Sequence, residues 1–281
     1  MTSEARPALL RCQMLDIPMP QSAVDRSMDA LETHLVHQLN WAIYPGECWV
    51  ILGPNGAGKS SLLQVLSGLC LSKPGTLYWQ DEPFSTQPTQ QRAQQLGLVL
   101  QHPSTGLQNT TLEMVLSGRY PAHTGWYWDN ALDIGLAHQA LAEVGLSDKA
   151  DVALLALSGG ELRRADIARL LVQNPTLAIL DEPLNHLDIG QQLNIVQRLQ
   201  QHFQTSDHAL MMVMHDLNLA RHIATHGLLL YGDGRWQAGP IHKVTGVDTL
   251  SELMGYALLE YDTPYGKRLG VDYLAAANGS V

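Results

Sequence analysis

Short apolar runs recur along the chain, and each one ends at polar or glycine-rich residues. They occupy residues 48–52, 177–180 and 211–214. A run of four or five apolar residues is typical of a β-strand covered on both faces, as in a parallel sheet. Between about residues 170 and 231 such runs alternate with segments of helical pattern. The sequence therefore predicts an α/β fold built on a mostly parallel sheet.

A glycine-rich motif follows the first apolar run and leads into a helical pattern at Ser61. It reads Gly53, Pro54, Asn55, Gly56, Ala57, Gly58, Lys59 and Ser60. This is the P-loop pattern G-x-x-x-x-G-K-[ST] in its strand–loop–helix context. Its backbone N–H groups bind phosphate oxygens, Lys59 supplies positive charge, and the Ser60 hydroxyl suits Mg²⁺. The motif predicts a P-loop NTPase that binds a nucleoside triphosphate with Mg²⁺.

Two carboxylates, Asp181 and Glu182, end the second apolar run. A lone Asp-Glu pair at a strand end is commonly a solvated turn. With a P-loop on the same chain, we expect Asp181 to hold Mg²⁺ and Glu182 to polarise the attacking water.

The segment Leu157-Ser158-Gly159-Gly160-Glu161 precedes that second run. It resembles the L-S-G-G-Q signature of ATP-binding cassette (ABC) ATPases, with Glu161 where the family usually has Gln. Ser158 and Glu161 also fit a helix capping box. The resemblance implies that this helix N-terminus, with Ser158, Gly159, Gly160 and Glu161, binds ATP held by a second copy. It therefore implies a head-to-tail dimer with ATP, the expected nucleotide, between the copies.

Three single residues extend the resemblance through their order and spacing. Gln101 matches the Q-loop, Asp188 the D-loop and His215 the switch histidine. The resemblance implies that Glu182, His215 and Gln101 are catalytic. It further implies that residues 53–61, the signature and Asp188 bind the nucleotide. The implied Mg²⁺ ligands are Ser60, Gln101 and Asp181.

One element of the family pattern is missing. Its members usually carry an aromatic residue upstream of the P-loop to stack on adenine, but residues 1–40 contain no Phe, Tyr or Trp. Trp41 and Tyr44 lie too close to the loop to match that position. How adenine is held stays open.

Composition narrows the class of protein. The chain has 281 residues and a net charge of −10, which provides no electrostatic reason to bind nucleic acid. No window approaches a membrane span, and the N-terminus lacks a secretory pattern, so we expect a cytosolic protein. Cys12, Cys48 and Cys70 are expected to be reduced and mostly buried. Although there are 12 histidines, the helical pair His222 and His226 is interpreted as a solvated face, and no metal besides Mg²⁺ is expected.

The motifs predict one nucleotide-binding domain over residues 1–240. We expect a RecA-like core, an N-terminal antiparallel β subdomain and an ABC-type helical subdomain at about 102–168. Residues 241–281 form a small extension. Trp126, Tyr127 and Trp128 are expected to be a docking face for a membrane partner, or else a small satellite core.

Three classes of ABC protein compete. A DNA-repair or chromosome ATPase would carry a long coiled-coil insertion, and a translation-associated ATPase would carry two cassettes. This chain has one closely spaced motif set, which favours the ATPase subunit of a transporter, and of an importer in particular. Such a subunit works with two permease subunits and, indirectly, a periplasmic substrate-binding protein. It is expected to lie peripherally on the cytoplasmic face of the inner membrane.

The cargo is predicted from two stretches and one substitution. Residues 115–121 resemble a V-L-x-G-R-x-P segment, and residues 181–188 a D-E-P-x-N-x-L-D form, of ATPases for iron–siderophore, haem and vitamin B12 uptake. Glu161 resembles the vitamin B12 group. We therefore expect cobalamin, with ferric siderophore and haem as alternatives.

Overall fold

The computed structural model describes residues 7–19, 34–101, 110–123, 130–264 and 266–273. Internal contacts divide the chain into two compact units. Unit 1 comprises Met1–Leu9, Ile43–Glu47 and Trp79–Met212, and unit 2 comprises Leu10–Ala42, Cys48–Tyr78 and Val213–Val281. The predicted domain boundary near residue 240 stays a prediction.

Strands and helices alternate through the chain. The strands are β1 (Leu10–Pro18), β2 (His34–Ile43), β3 (Cys48–Leu52), β4 (Leu77–Trp79), β5 (Glu82–Pro83), β6 (Leu96–Val99), β7 (Leu177–Asp181), β8 (Ala209–Val213), β9 (His226–Leu230), β10 (Trp236–Pro240), β11 (Leu258–Thr263) and β12 (Gly266–Val271). The helices are α1 (Lys59–Leu66), α2 (Thr89–Gln95), α3 (Thr111–Leu116), α4 (Ala131–Glu143), α5 (Gly159–Gln173), α6 (Ile189–Phe203), α7 (Leu217–Ile223), α8 (Ile241–Val244) and α9 (Val247–Met254). Short 3₁₀ turns lie at Phe84–Thr86, Ser117–Ala122, Ser147–Lys149 and Leu154–Ala156.

In unit 2, the strand that leads into the P-loop has every residue buried. This strand, β3, pairs in parallel with β9, and β9 pairs antiparallel with β10. The turn between β9 and β10 contains Gly232 and Gly234, both at positive φ. The predicted buried parallel strand is confirmed.

The other parts of unit 2 are a β-layer and a C-terminal hairpin. In the β-layer, β1 lies between β2 and β4. The C-terminal strands β11 and β12 pair with each other and lie against α7. Asn218 of α7 accepts a hydrogen bond from the Leu269 N–H at 2.8 Å and donates one to the Leu269 carbonyl at 3.1 Å. Arg221 adds an ion pair with Glu260 at 2.9 Å.

In unit 1, three hydrogen-bonded strands lie in the order β8, β7, β6, and the β6–β7 pair is parallel. Both β7 and β8 are buried along their whole length. The regular elements described between residues 110 and 173 are helical, which agrees with the pattern predicted for that stretch. Helix α5 ends at the left-handed Asn174, directly before Pro175. The aromatic run 126–128 lies outside the described residues.

Among the described residues, none of the helices is both long and apolar enough to cross a bilayer. All three cysteines are free thiols, as predicted, although Cys70 is exposed. Burial raises the pKa of the Cys48 thiol to about 12, so this side chain packs as an inert apolar group.

Candidate functional site

The P-loop in unit 2 depends on glycine at two crowded positions. Gly58 is the N-cap of α1 at φ 91°, and a Cβ there would lie 2.9 Å from the Leu35 Cβ. A Cβ on Gly53 would lie 2.3 Å from the Leu230 carbonyl oxygen. The loop therefore follows its path only with glycine at both positions, because the backbone of β9 and the side chain of Leu35 already fill that space.

Lys59 and Ser60 occupy the first turn of α1. The Lys59 side chain is only 7% exposed, and its ammonium donates to the carbonyls of Gly53 and Pro54, each at 2.8 Å. Ser60 is exposed. No side chain caps the N-terminus of α1, so its first N–H groups are directed out of the helix. This donor set fits the phosphates of ATP, and the Ser60 hydroxyl fits one coordination position of Mg²⁺.

The predicted carboxylates lie in unit 1, at the end of β7. Asp181 is 3% exposed. The neighbouring Glu182 adopts φ 50°, a left-handed conformation that costs an L-residue about 1–2 kcal/mol. Its Oε2 accepts hydrogen bonds from Gln101 Nε2 at 3.0 Å and from Asn185 Nδ2 at 2.5 Å. The structure thus brings the predicted base and the predicted Q-loop glutamine together.

Arg163 binds the backbone next to Gln101 and Glu182. This α5 side chain is 4% exposed, and its guanidinium donates to the carbonyl oxygens of Leu100, Asp181 and Glu182. It therefore connects the residue before Gln101 to the end of β7. Burial lowers the pKa of Arg163, and the carboxylates of Asp166, Asp181 and Glu182 partly offset this. The sequence did not predict this role, because the partners of Arg163 are backbone carbonyl oxygens.

The signature forms the N-terminus of α5. Ser158 and Glu161 make the predicted capping box: the Ser158 hydroxyl accepts the Glu161 N–H, and the Glu161 carboxylate accepts the Ser158 N–H. These hydrogen bonds and the Lys149 ammonium, 3.6 Å away, lower the pKa of Glu161. Ser158 and Gly159 are exposed. Glu161 therefore serves as a cap in this chain, which explains why a carboxylate is accommodated where the family usually has Gln.

Asp188 and His215 flank two further helices. Asp188 is the N-cap of α6 and accepts the Gln191 N–H at 2.8 Å. His215 is exposed in unit 2, directly before Asp216, which caps α7. The roles predicted for these two residues in ATP hydrolysis stay predictions.

The aromatic residues near the P-loop have other roles. Trp41 is 6% exposed and packs edge-on against Trp49, with ring centroids 5.0 Å apart. Trp49 also stacks on His226 at 4.8 Å. Trp41 therefore belongs to the core. The predicted solvated helical pair of His222 and His226 is wrong, because α7 ends at Ile223 and His226 begins β9.

The segment used to predict the cargo has structural roles. A Cβ on Gly118 would lie 2.3 Å from the Arg169 carbonyl oxygen, so glycine permits close packing against α5. Arg119 donates to Asp133 at 2.8 Å, and His123 lies 2.6 Å from the other oxygen of that carboxylate. Burial alone would raise the pKa of Asp133, but these two partners outweigh it and lower the pKa.

Comparison with known proteins agrees with these motifs. Residues 36–185 match the family model described as ABC transporter. The chain is 35% identical over 238 residues to the hemin import ATP-binding protein HmuV of Methylobacillus flagellatus, covering 82% of this chain and 84% of that protein. It is 33% identical over 219 residues to the iron(3+)-hydroxamate import ATP-binding protein FhuC of Bacillus subtilis, covering 78% and 81%. It is 31% identical to the ferric enterobactin transport ATP-binding protein FepC of Escherichia coli, covering 82% and 85%.

Solved structures share the fold. An inward-facing putative metal-chelate type ABC transporter aligns with a TM-score of 0.75 at 24% identity, covering 93% of this chain and 96% of that one. Part of the CbiONQ transporter complex, CbiO1 of Clostridium perfringens, aligns with a TM-score of 0.67 at 23% identity, covering 87% and 93%. The predicted fold class is confirmed: a P-loop NTPase core with parallel strands, an antiparallel β part and helical parts.

Proposed function

We propose that this chain, which belongs to the ABC transporter family, hydrolyses ATP to drive uptake of an iron chelate, either a ferric siderophore or haem. Membership makes it the ATP-binding ATPase subunit of an ABC importer. The cargo, the individual residue roles and the cellular location belong to the proposal.

The observation that carries hydrolysis is the arrangement at Glu182. Its carboxylate is held by two amide side chains at the end of a fully buried strand. An oriented carboxylate there can accept a hydrogen bond from a water molecule. It can then take that water's proton as the oxygen bonds to the γ-phosphorus and the bond to the β-phosphate oxygen breaks, which releases ADP and phosphate.

The residues around it have separate roles in this proposal. The P-loop, from Gly53 to Ser61, binds the phosphates, and Lys59 neutralises their charge. Ser60, Asp181 and Gln101 would hold Mg²⁺, which when bound would offset the negative charge of the phosphate oxygens. His215 contacts the γ-phosphate.

The second proposed element is the dimer. The exposed N-terminus of α5, with Ser158 and Gly159, presents N–H groups and a positive helix end suited to a phosphate. The capping box uses the N–H groups of Ser158 and Glu161 within the chain. We propose that the remaining donors, with Gly160 and Asp188, bind ATP held by a second copy, so that each site needs two chains.

We propose the cellular location from the family assignment. Two such chains would dock on two permease subunits at the cytoplasmic face of the inner membrane, with a periplasmic binding protein delivering the cargo. The relatives described above are named for haem, hydroxamate and enterobactin transport, which supports an iron chelate. Cobalamin stays the second candidate, because Glu161 resembles the vitamin B12 group.

Glu182→Gln tests the chemistry. It should bind ATP, lose at least about 100-fold in turnover, and accumulate as an ATP-loaded dimer seen by light scattering. Lys59→Ala should fail to bind ATP and stay monomeric. Hydrolysis by Glu182→Gln at the wild-type rate would refute the role of Glu182.

The cargo is tested separately, by uptake in a strain lacking this gene. Labelled ferric hydroxamate, haem and cobalamin should be measured in parallel, with wild type and Lys59→Ala as complementing chains. Loss of iron-chelate uptake alone, restored only by wild type, supports the proposal. Loss of cobalamin uptake alone would move the cargo, and loss of none would overturn the importer role.

A further inference from the structure

Three potential metal ligands meet in unit 2. Asp16 lies on β1, and His34 and His37 lie at the start of β2. One ligand atom from each residue lies within 4.8 Å of the other two. His37 Nδ1 is 3.0 Å from Asp16 Oδ1, and the two imidazole ring centroids are 5.1 Å apart.

We propose that Asp16, His34 and His37 form a binding site for a divalent transition-metal ion, with Zn²⁺ as the first ion to test. Tetrahedral Zn²⁺ with bond lengths of about 2.0–2.1 Å places its ligand atoms about 3.3 Å apart. The Asp16–His37 distance already agrees with this spacing. Rotation of the His34 side chain would bring its imidazole nitrogen to the same spacing. The fourth coordination position would then be open to water.

The backbone places both histidines on the same side. Regular alternation along β2 would direct residues three apart to opposite faces. Instead, Leu35 and Val36 are both buried, and His37 and Gln38 are both exposed. The break in alternation is what brings the imidazoles of His34 and His37 within reach of one carboxylate.

Hydrogen bonds hold the ligand-bearing segments in place. The Gln38 N–H donates to Asp16 Oδ1 at 2.9 Å, which orients the carboxylate. The His37 N–H donates to the Gly234 carbonyl at 2.9 Å, and the His37 carbonyl accepts the Trp236 indole N–H at 3.0 Å. A partner that binds the ligating side chain itself, as the Gln38 N–H does, typically changes metal affinity about 10–100-fold.

The charges suit a cation. At neutral pH the Asp16 carboxylate is negatively charged, and both histidines can bind a metal through neutral imidazole nitrogens. Lys73 lies 3.6 Å from the other Asp16 oxygen, with a side chain 69% exposed. Its ammonium can therefore move into solvent when a metal binds.

The donor set selects the class of ion. Imidazole nitrogens suit Zn²⁺, Co²⁺, Ni²⁺ and Cu²⁺, whereas Mg²⁺ and Ca²⁺ prefer oxygen ligands throughout. Two imidazoles with one carboxylate therefore favour a transition metal. This site is chemically distinct from the Mg²⁺ position proposed at Ser60.

Metal binding would act on the P-loop through one residue. Leu35, which lies between the two histidines in sequence, packs against Gly58. A Cβ built on Gly58 would lie 2.9 Å from the Leu35 Cβ. A metal that ties β1 to the start of β2 would restrain the segment packed on the P-loop. Because the three ligands come together only in the folded chain, the bound ion would also stabilise the folded state.

The test is calorimetric titration of ZnCl₂ into the full-length, untagged protein without nucleotide. We expect one ion per chain, and at least about 10-fold weaker binding for Asp16→Asn, His34→Ala and His37→Ala. His202→Ala is the matched control, since it removes an imidazole 2.9 Å from Glu143 outside the cluster. It should bind Zn²⁺ as wild type does.

Two results would overturn the proposal. The first is no stoichiometric Zn²⁺ binding by the wild type. The second is unchanged binding by all three cluster variants, which would place the metal elsewhere. Should a histidine variant fail to fold by circular dichroism, Asp16→Asn and the visible spectrum of the Co²⁺-loaded wild type decide, since nitrogen and oxygen ligands without thiolate give no sulfur-to-metal charge-transfer band.

Discussion

Replacing Arg163 by Met should damage both stability and turnover. The guanidinium is 4% exposed and donates to three backbone carbonyls, those of Leu100, Asp181 and Glu182. Hydrogen bonds from a charged donor contribute about 1.5–3 kcal/mol each, and the cost of burying the charge offsets part of that sum. Losing this donor costs about 1–3 kcal/mol for each of the three carbonyl oxygens, and the relief of burying the charge brings the expected net loss to about 3–5 kcal/mol.

That cost can be read as a change in melting temperature. For a chain of this size, 1 kcal/mol corresponds to about 2–4 °C, so we expect the Tm of Arg163→Met to fall by about 6–20 °C. Arg163→Lys keeps the charge but loses the forked donor geometry of the guanidinium. Its Tm should therefore lie between those of Arg163→Met and wild type. Arg198→Met is the control, because that arginine lies on α6 and has no predicted role.

The kinetic effect should separate turnover from binding. Arg163 anchors the backbone on both sides of the Gln101–Glu182 hydrogen bond, whereas the P-loop binds the phosphates. At a temperature well below its Tm, Arg163→Met should therefore lose kcat with little change in KM for ATP. A Tm within about 2 °C of wild type together with unchanged kcat would refute this account of the residue.

Three further predictions concern single side chains. Asp133→Asn should lower Tm at pH 7, and its difference from wild type should shrink as pH falls below about 4. A carboxylate whose pKa is lowered in the folded state stabilises the fold above its unfolded pKa and loses that effect when it is protonated. A Tm difference that is the same at every pH would contradict this prediction. Asn218→Ala should lower the free energy of unfolding by about 1–3 kcal/mol and speed hydrogen exchange at the Leu269 amide. Unchanged exchange would show that the Asn218–Leu269 hydrogen bonds do not hold the hairpin against α7. Gly58→Ala should weaken binding of an ATP analogue more than Gly56→Ala, since both glycines have positive φ but only a Cβ on Gly58 meets a close neighbour; equal affinities would show that crowding is unimportant.

The parts of the site that the sequence predicted are those built from contiguous residues. The P-loop, the Ser158–Glu161 capping box and the run ending at Asp181 each carry their geometry in local spacing. The apolar runs likewise predicted the buried strands β3, β7 and β8. Such features are local because strand, turn and cap each involve only a few adjacent residues.

Arg163 was not predicted, because its partners are carbonyl oxygens at Leu100, Asp181 and Glu182. A backbone acceptor has no sequence identity, so an arginine that binds one leaves no pairwise pattern to read. The left-handed Glu182 was missed for a related reason. That φ is held by the surrounding structure against an intrinsic preference.

The cluster of Asp16, His34 and His37 could not be predicted from the spacing of histidines along the sequence. The helical i, i+4 spacing of His222 and His226 was interpreted as a solvated face, but the two residues lie on different elements. His34 and His37 have a spacing that a regular strand would direct to opposite faces. Only the break in alternation at Leu35 and Val36 brings them to Asp16. Leu35, one of the two residues at that break, also packs beside Gly58, so the same short segment of β2 lies next to the P-loop.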